Sequence, residues 1–219
     1  MIIVVVTYLN IFVVGFFMEL RYYDSNSSSD DSLIHKLKVL DDKAFGTGPN
    51  IVGITEDEIK KILNNGFIIC AVIDGRIVSL LMVEYKTDSW YAAGIATDPK
   101  YLRGGLGSAL MLELIKRAGN NRITATVREN NLESIGLCVN KNGFIITEFL
   151  KDHYGPGKDR LLLELIPGSK AYTFSKEFEE ASCNDKERIK HLLDDGYLGT
   201  KLIKRPDGYY FLFNKLKYS

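Results

Sequence analysis

Cysteine is scarce in this chain, with three among 219 residues, at positions 70, 138 and 183. The number is odd and the spacing uneven, which excludes a disulfide framework, and no C-x-x-C pair is present to begin a zinc site. A reducing compartment, the cytoplasm, fits that usage. Histidine is equally rare, at 35, 153 and 191. None of these has H-E-x-x-H or related spacing, so no metal site is expected. An excess of charge of either sign is also missing, because 28 Lys and Arg balance 28 Asp and Glu. That argues against a nucleic-acid partner held through bulk charge. What remains is the composition of a globular protein, 46% hydrophobic and 26% charged, on a chain long enough to bury a core without staples.

The one membrane-like run is residues 1–17, MIIVVVTYLNIFVVGFF. It sits at the low edge of the roughly 17–25 residues that a spanning helix needs. No basic stretch opens it and no small-residue cleavage site follows it. Three readings stay open: an extension upstream of a start at Met18, a short membrane anchor, or a strand or helix packed on the domain. Its Val and Ile do not separate helix from strand.

From Met18 the pattern is readable. ELRYY is a short strand, and DSNSSSDD is a polar loop of residues that bond their own backbone. Leu33, Ile34, Leu37, Leu40 and Phe45 then recur at helical spacing. TEDEIKKILNNG is a second helix with Thr55 as N-cap, Glu58 three residues on and Gly66 as its stop. Two apolar runs joined at Asp74-Gly75 form a hairpin. SWYAAGIAT is a strand ended by Asp98-Pro99. An amphipathic helix follows, with Leu106, Leu110, Leu114 and Ile115 on one face. RITATVR is a strand, LESIGLCVNKNG a helix, and FIITEFL and DRLLLELI are strands around the loop KDHYGPGK. The order β-α-α-β-β-β-α-β-α-β-β describes one α+β (mixed α/β) domain over 18–167. Residues 168–219 read as an appendage that docks on it. It comprises a helix capped by Asn184 and Glu187, striped by Ile189, Leu192 and Leu193 and stopped by Gly196, then a hairpin around Pro206-Asp207-Gly208.

The most informative stretch is TDPKYLRGGLGSAL, residues 97–110. A strand ends, a turn carries glycines 104, 105 and 107, and a helix begins. Glycine lets backbone amides approach a ligand closely, and the helix start adds unpaired donors and a positive dipole end. Together these suit a pyrophosphate, to which Arg103 adds a full charge. Neither of two other phosphate loops fits. No Lys-Ser or Lys-Thr follows, as a P-loop requires, and Leu110 stands where a dinucleotide turn needs its third glycine.

At these residues the chain resembles the GNAT superfamily of acetyl-CoA-dependent N-acetyltransferases, whose central motif is Gln/Arg-x-x-Gly-x-Gly/Ala. Gly105-Leu106-Gly107 matches its Gly-x-Gly. Leu102 stands at the Gln/Arg position, with Arg103 beside it. A second motif, N-x-x-A-I-x-x-Y-x-x-x-G-F, resembles NLESIGLCVNKNGF, residues 131–144. Asn131, Ser134 and Ile135 match from the left, and Gly143 and Phe144 from the right, with one extra residue between. The family's tyrosine, which often protonates the departing thiolate, therefore falls on Cys138 by one count and Val139 by the other. The resemblance covers about 18–166.

That resemblance implies an acyl-CoA N-acyltransferase fold: a central, mostly antiparallel sheet flanked by helices and splayed to admit acetyl-CoA. Backbone groups of Ile95, Ala96 and Thr97 would pair with the pantetheine arm. Amides over Leu102, Arg103, Gly104, Gly105, Leu106, Gly107 and Ser108 would hold the pyrophosphate, and Asn131 would bond the arm. An amide near Ile95 or Ala96 would polarise the thioester carbonyl. An alkyl amine with pKa ~10.4 must lose a proton before it attacks, and Glu84 and Tyr91 are the groups placed to take it. Tyr154 would stand in for the missing acid. Cys138 offers an acid or a nucleophile, although a small buried helix residue is its ordinary role. The partner implied is an amine-bearing small molecule or protein.

Overall fold

A computed structural model describes residues 11–13, 16–46, 53–166 and 172–217. The chain divides into two units, Met1–Arg117 and Ala118–Ser219.

In the first unit, β1 (Ile11–Val13), β2 (Phe16–Tyr23), β3 (Gly66–Ile73), β4 (Arg76–Tyr85) and β5 (Trp90–Thr97) pair in chain order, each antiparallel to the next. Helices α1 (Asp31–Phe45) and α2 (Glu56–Asn65) lie between β2 and β3, and α3 (Leu106–Ala118) follows β5. Local chemistry sets these bounds. Asp30 accepts from the Leu33 amide and starts α1, and Thr55 and Glu58 form a reciprocal capping box at α2. Asp74 and Gly75 both have positive φ, +49° and +73°, as a tight two-residue hairpin demands. Gly66 follows α2 where only glycine fits, because a Cβ there would lie 1.9 Å from the Val83 carbonyl oxygen.

Alternation along the strands separates two faces. Ile68, Cys70, Val72, Leu80 and Met82 form a core with Leu33, Ile34, Leu37, Leu40, Ile59, Ile62 and Leu63 of α1 and α2. On the opposite face, the Arg117 guanidinium of α3 lies 4.2 Å from the Tyr22 ring centroid and 5.4 Å from that of Phe67. Phe45 departs from its expected place in the stripe and is half exposed. It is the last residue of α1, where the chain leaves the face. Of the apolar run 1–17, Ile11–Val13 pairs with Phe16–Met18 as a hairpin, and residues 1–10, 14 and 15 lie outside the described residues. Among the described residues no helix is long and apolar enough to cross a membrane.

The second unit holds β6 (Ile123–Arg128), α4 (Leu132–Gly136), β7 (Ile145–Leu150), β8 (Arg160–Leu165), β9 (Phe174–Ser182), α5 (Lys186–Asp194), β10 (Tyr197–Arg205) and β11 (Gly208–Leu216). Its strands lie in the order β6-β8-β7-β10-β11-β9, all antiparallel. Phe144, Ile146, Leu161, Leu163, Ile189, Phe211 and Phe213 are buried. The segment read as helix plus hairpin contains a further strand, β9, which pairs with β11. The cap of α5 is Asp185, which accepts from the Arg188 amide, rather than Asn184. The hairpin turn is Pro206-Asp207, and Gly208 already pairs with Arg205. Gly199 of β10 pairs with Ile146 of β7.

Candidate functional site

The phosphate-cradle segment lies wholly in the first unit. Asp98 leaves β5 and accepts from the Lys100 amide, which starts a 3-10 turn at Pro99–Tyr101. Lys43 of α1 donates to the other carboxylate oxygen, so helix and turn are joined there. Burial alone would raise the Asp98 carboxyl, but the bonds from Lys43 and the Lys100 amide overcome that and hold it below the usual carboxylate range. Beyond this turn Arg103 has φ +63° and Gly105 φ +80°. A left-handed non-glycine residue carries backbone strain, of the kind that gathers at ligand clamps. No heavy atom lies within 4 Å of where a Gly105 Cβ would stand, so the turn is open. The first bond of α3 runs from the Ala109 amide to the Gly105 carbonyl at 3.0 Å. The amides of Leu106, Gly107 and Ser108 precede it and point out of the helix end. Leu102 and Arg103 are exposed, whereas Leu106 is buried as the first anchor of α3.

Ile95, Ala96 and Thr97 are paired on one side with Leu81, Leu80 and Ser79 of β4. The Ser79 hydroxyl donates to the Ala96 carbonyl at 2.9 Å and lies 2.7 Å from the Thr97 hydroxyl, which fixes the strand end. Just upstream the register slips: Met82 faces Gly94 while Val83 faces Ala92, leaving Ala93 as an extra residue. Such a bulge turns backbone groups out of the ladder. Sequence reading missed it, although the small run Ala92-Ala93-Gly94 carries the signal.

Glu84 and Tyr91 are brought together as a cross-strand pair. Lys86 spans both, with its ammonium 2.6 Å from the Glu84 carboxylate and 5.4 Å from the Tyr91 ring centroid. The face is that of Leu80 and Met82, which also carries α1 and α2.

The other predicted residues lie in the second unit. Asn131 is committed to its own helix: its side-chain oxygen accepts from the Ser134 amide and caps α4. The extra residue of the second motif has a physical outcome. After Gly136 the helix widens into a π turn, Leu137–Lys141, which absorbs one residue. The Asn142 side chain donates to the Leu137 carbonyl that the wider turn frees, at 2.7 Å. Cys138 and Val139 are both buried. Burial pushes the Cys138 thiol up to about 12, so it is no nucleophile at neutral pH. Tyr154 is half exposed in the loop between β7 and β8, with the Arg160 guanidinium 4.9 Å from its ring centroid. Its hydroxyl makes a long 3.5 Å contact with Thr126.

An antiparallel sheet flanked by helices, carrying this strand–turn–helix, defines an acyl-CoA N-acyltransferase fold. Residues 36–144 match the sequence profile of the Acetyltransferase (GNAT) family, and the chain belongs to it through that domain. Three solved structures show the same fold. The ribosomal-protein-S18-alanine N-acetyltransferase of Escherichia coli aligns with TM-score 0.53 at 18% identity, over 71% of this chain and 99% of its own. NAA60 of Arabidopsis thaliana, in complex with a bisubstrate analogue, gives 0.54 at 15%, over 69% and 99%. The PaiA N-acetyltransferase of Thermoplasma acidophilum, in complex with coenzyme A, gives 0.50 at 14%, over 68% and 99%. No curated protein matches the chain in sequence.

Proposed function

We propose that the protein transfers an acetyl group from acetyl-CoA to the amine of a small-molecule or protein acceptor. The observation that carries this reading is the open turn at Gly105, whose neighbouring Leu102 and Gly104 amides bond the Pro99 and Tyr101 carbonyls and so leave the later amides to a ligand. Arg103 and Gly105 have positive φ, and three leading amides of α3 precede its first helical bond. Such amides and the helix dipole favour a pyrophosphate, and Arg103 adds charge. Acetyl-CoA would supply the activated acetyl thioester. Ile95, Ala96 and Thr97 would pair with its pantetheine arm, and an amide near Ile95 or Ala96 would polarise the thioester carbonyl. Asn131 would reach the arm through its amide nitrogen, because its oxygen caps α4.

The acceptor arrives as an ammonium and attacks as a free amine. Glu84 and Tyr91 are the groups to take its proton, and Tyr154 is the group to return one to the leaving thiolate. Single replacements Glu84→Gln, Tyr91→Phe and Tyr154→Phe test these roles. A residue that moves the proton loses about 100-fold or more in kcat, and unchanged turnover in all three removes the assignments. The three buried, free cysteines support a cytoplasmic setting.

One observation favours a second reading, a non-catalytic acyl-CoA-binding module: Cys138 and Val139, the two residues at the motif's tyrosine position, are both buried. Acetyl-CoA binding without acetyl consumption across an amine panel would select it.

A further inference from the structure

Helix α5 bonds directly to candidate site elements of its own unit. The Lys186 ammonium, at the first position of α5, lies 2.8 Å from an Asp159 carboxylate oxygen and 2.9 Å from one of Glu129. Both acids are more than nine-tenths buried. Asp159 closes the loop that carries Tyr154, because its other oxygen accepts from the Asp152 amide at 2.9 Å. Asp152 in turn accepts from the Gly157 amide at 2.6 Å. Glu129 opens the turn that leads to Asn131, where the Asn131 amide bonds the Arg128 carbonyl.

We infer that Lys186 is a positioning residue for the thiolate-leaving side of the proposed acetyltransferase: it fixes the Tyr154 loop and the turn before Asn131 through one ammonium. The inference rests on the acetyltransferase reading for its kinetic consequence and on geometry alone for its structural one. Without Lys186, two buried carboxylates stand close together with no cation between them. The loop closed by Asp159 then loosens, and Tyr154 loses its fixed place. The pyrophosphate cradle belongs to other residues and keeps its affinity.

The test uses the full chain with Lys186→Met, Lys186→Arg and Asp159→Asn. Amide hydrogen exchange is read at Asp152 and Gly157, acetyl-CoA affinity by calorimetry, and kcat on any amine found to be acetylated. Lys186→Met should lower protection of both amides about tenfold or more. It should also cut kcat about tenfold, and raise the acetyl-CoA Kd through Asn131 by a smaller factor than kcat falls. Lys186→Arg should restore both, and Asp159→Asn should repeat the loss at Asp152. If Lys186→Met does not fold, the Asp159→Asn exchange result decides. Unchanged protection in Lys186→Met or Asp159→Asn overturns the inference, as does a kcat loss that Arg does not rescue. Failure of the wild-type chain to bind acetyl-CoA overturns the acetyltransferase reading instead, and leaves the exchange result to judge Lys186.

Discussion

Asn140 pairs with Leu202 as one strand residue pairs with another. Its side-chain amide donates to the Leu202 carbonyl at 2.8 Å, and its oxygen accepts from the Leu202 amide at 2.9 Å. Asn140 sits in the π turn, so the residue added to the second motif leaves an amide side chain facing β10. Leu202 is buried, and loss of the clamp would leave both of its backbone groups unpaired. Asn140→Ala should therefore cost about 1–3 kcal/mol in urea unfolding. Asn140→Asp, which keeps the acceptor and loses the donor, should also destabilise.

Gly66→Ala should be more damaging. A Cβ at that position meets the Val83 oxygen at 1.9 Å and the Glu84 Cα at 2.9 Å. Since β3 and β4 are central strands of the first unit, the clash cannot be relieved at an edge. The expected cost is about 3 kcal/mol or more, read as a lower denaturation midpoint.

The cysteines should be silent in the folded protein. Burial pushes the thiols of Cys138 and Cys183 up to about 12, and that of Cys70 higher still. Reaction with iodoacetamide at neutral pH should be undetectable in native conditions and complete for all three after unfolding. Catalytic use of Cys138 would show as fast alkylation with loss of turnover.

The Lys186 ion pairs predict a pH window. The hydrogen bond from Lys186, then the Asp152 amide, holds the Asp159 carboxyl below its ordinary 3.8. Its contribution is present above that value and is lost as pH falls through the lower, folded value. Hydrogen bonds to Asp159 and Glu129 raise Lys186 above its ordinary 10.5, so that contribution is present below 10.5 and lost as pH rises further. The stability gap between wild type and Lys186→Met should be widest at neutral pH and close toward both extremes. A gap independent of pH would contradict the ion-pair account.

Much of the fold was legible because single short stretches carry it. The α2 capping box, the Asp74-Gly75 turn and the alternation of β3 and β4 each rest on neighbours in sequence, and so does the glycine turn at 104–107. Features set by distant partners were not legible. In β9, Lys176, Glu177, Glu179 and Glu180 obscure the alternation of a strand, and its pairing with β11 shows only in the folded chain. The Ala93 bulge is a slip of register against β4, which no single residue announces. The π turn did leave a trace, the one-residue surplus between Ile135 and Gly143, but only structure shows where it is absorbed. Lys186 looked like any charged residue in a helix's first turn, because both its partners are more than 25 positions away.

The most direct test of the central claim is calorimetry of acetyl-CoA binding to the full chain and to a Gly105→Val variant that is shown to be folded by its thermal melt. A Cβ at Gly105 meets no protein atom, so the variant fills the open turn and opposes its positive φ. The account predicts micromolar binding to the wild type and loss of it in the variant. A folded wild-type chain that binds no acetyl-CoA, or a variant that binds as well as the wild type, would contradict it.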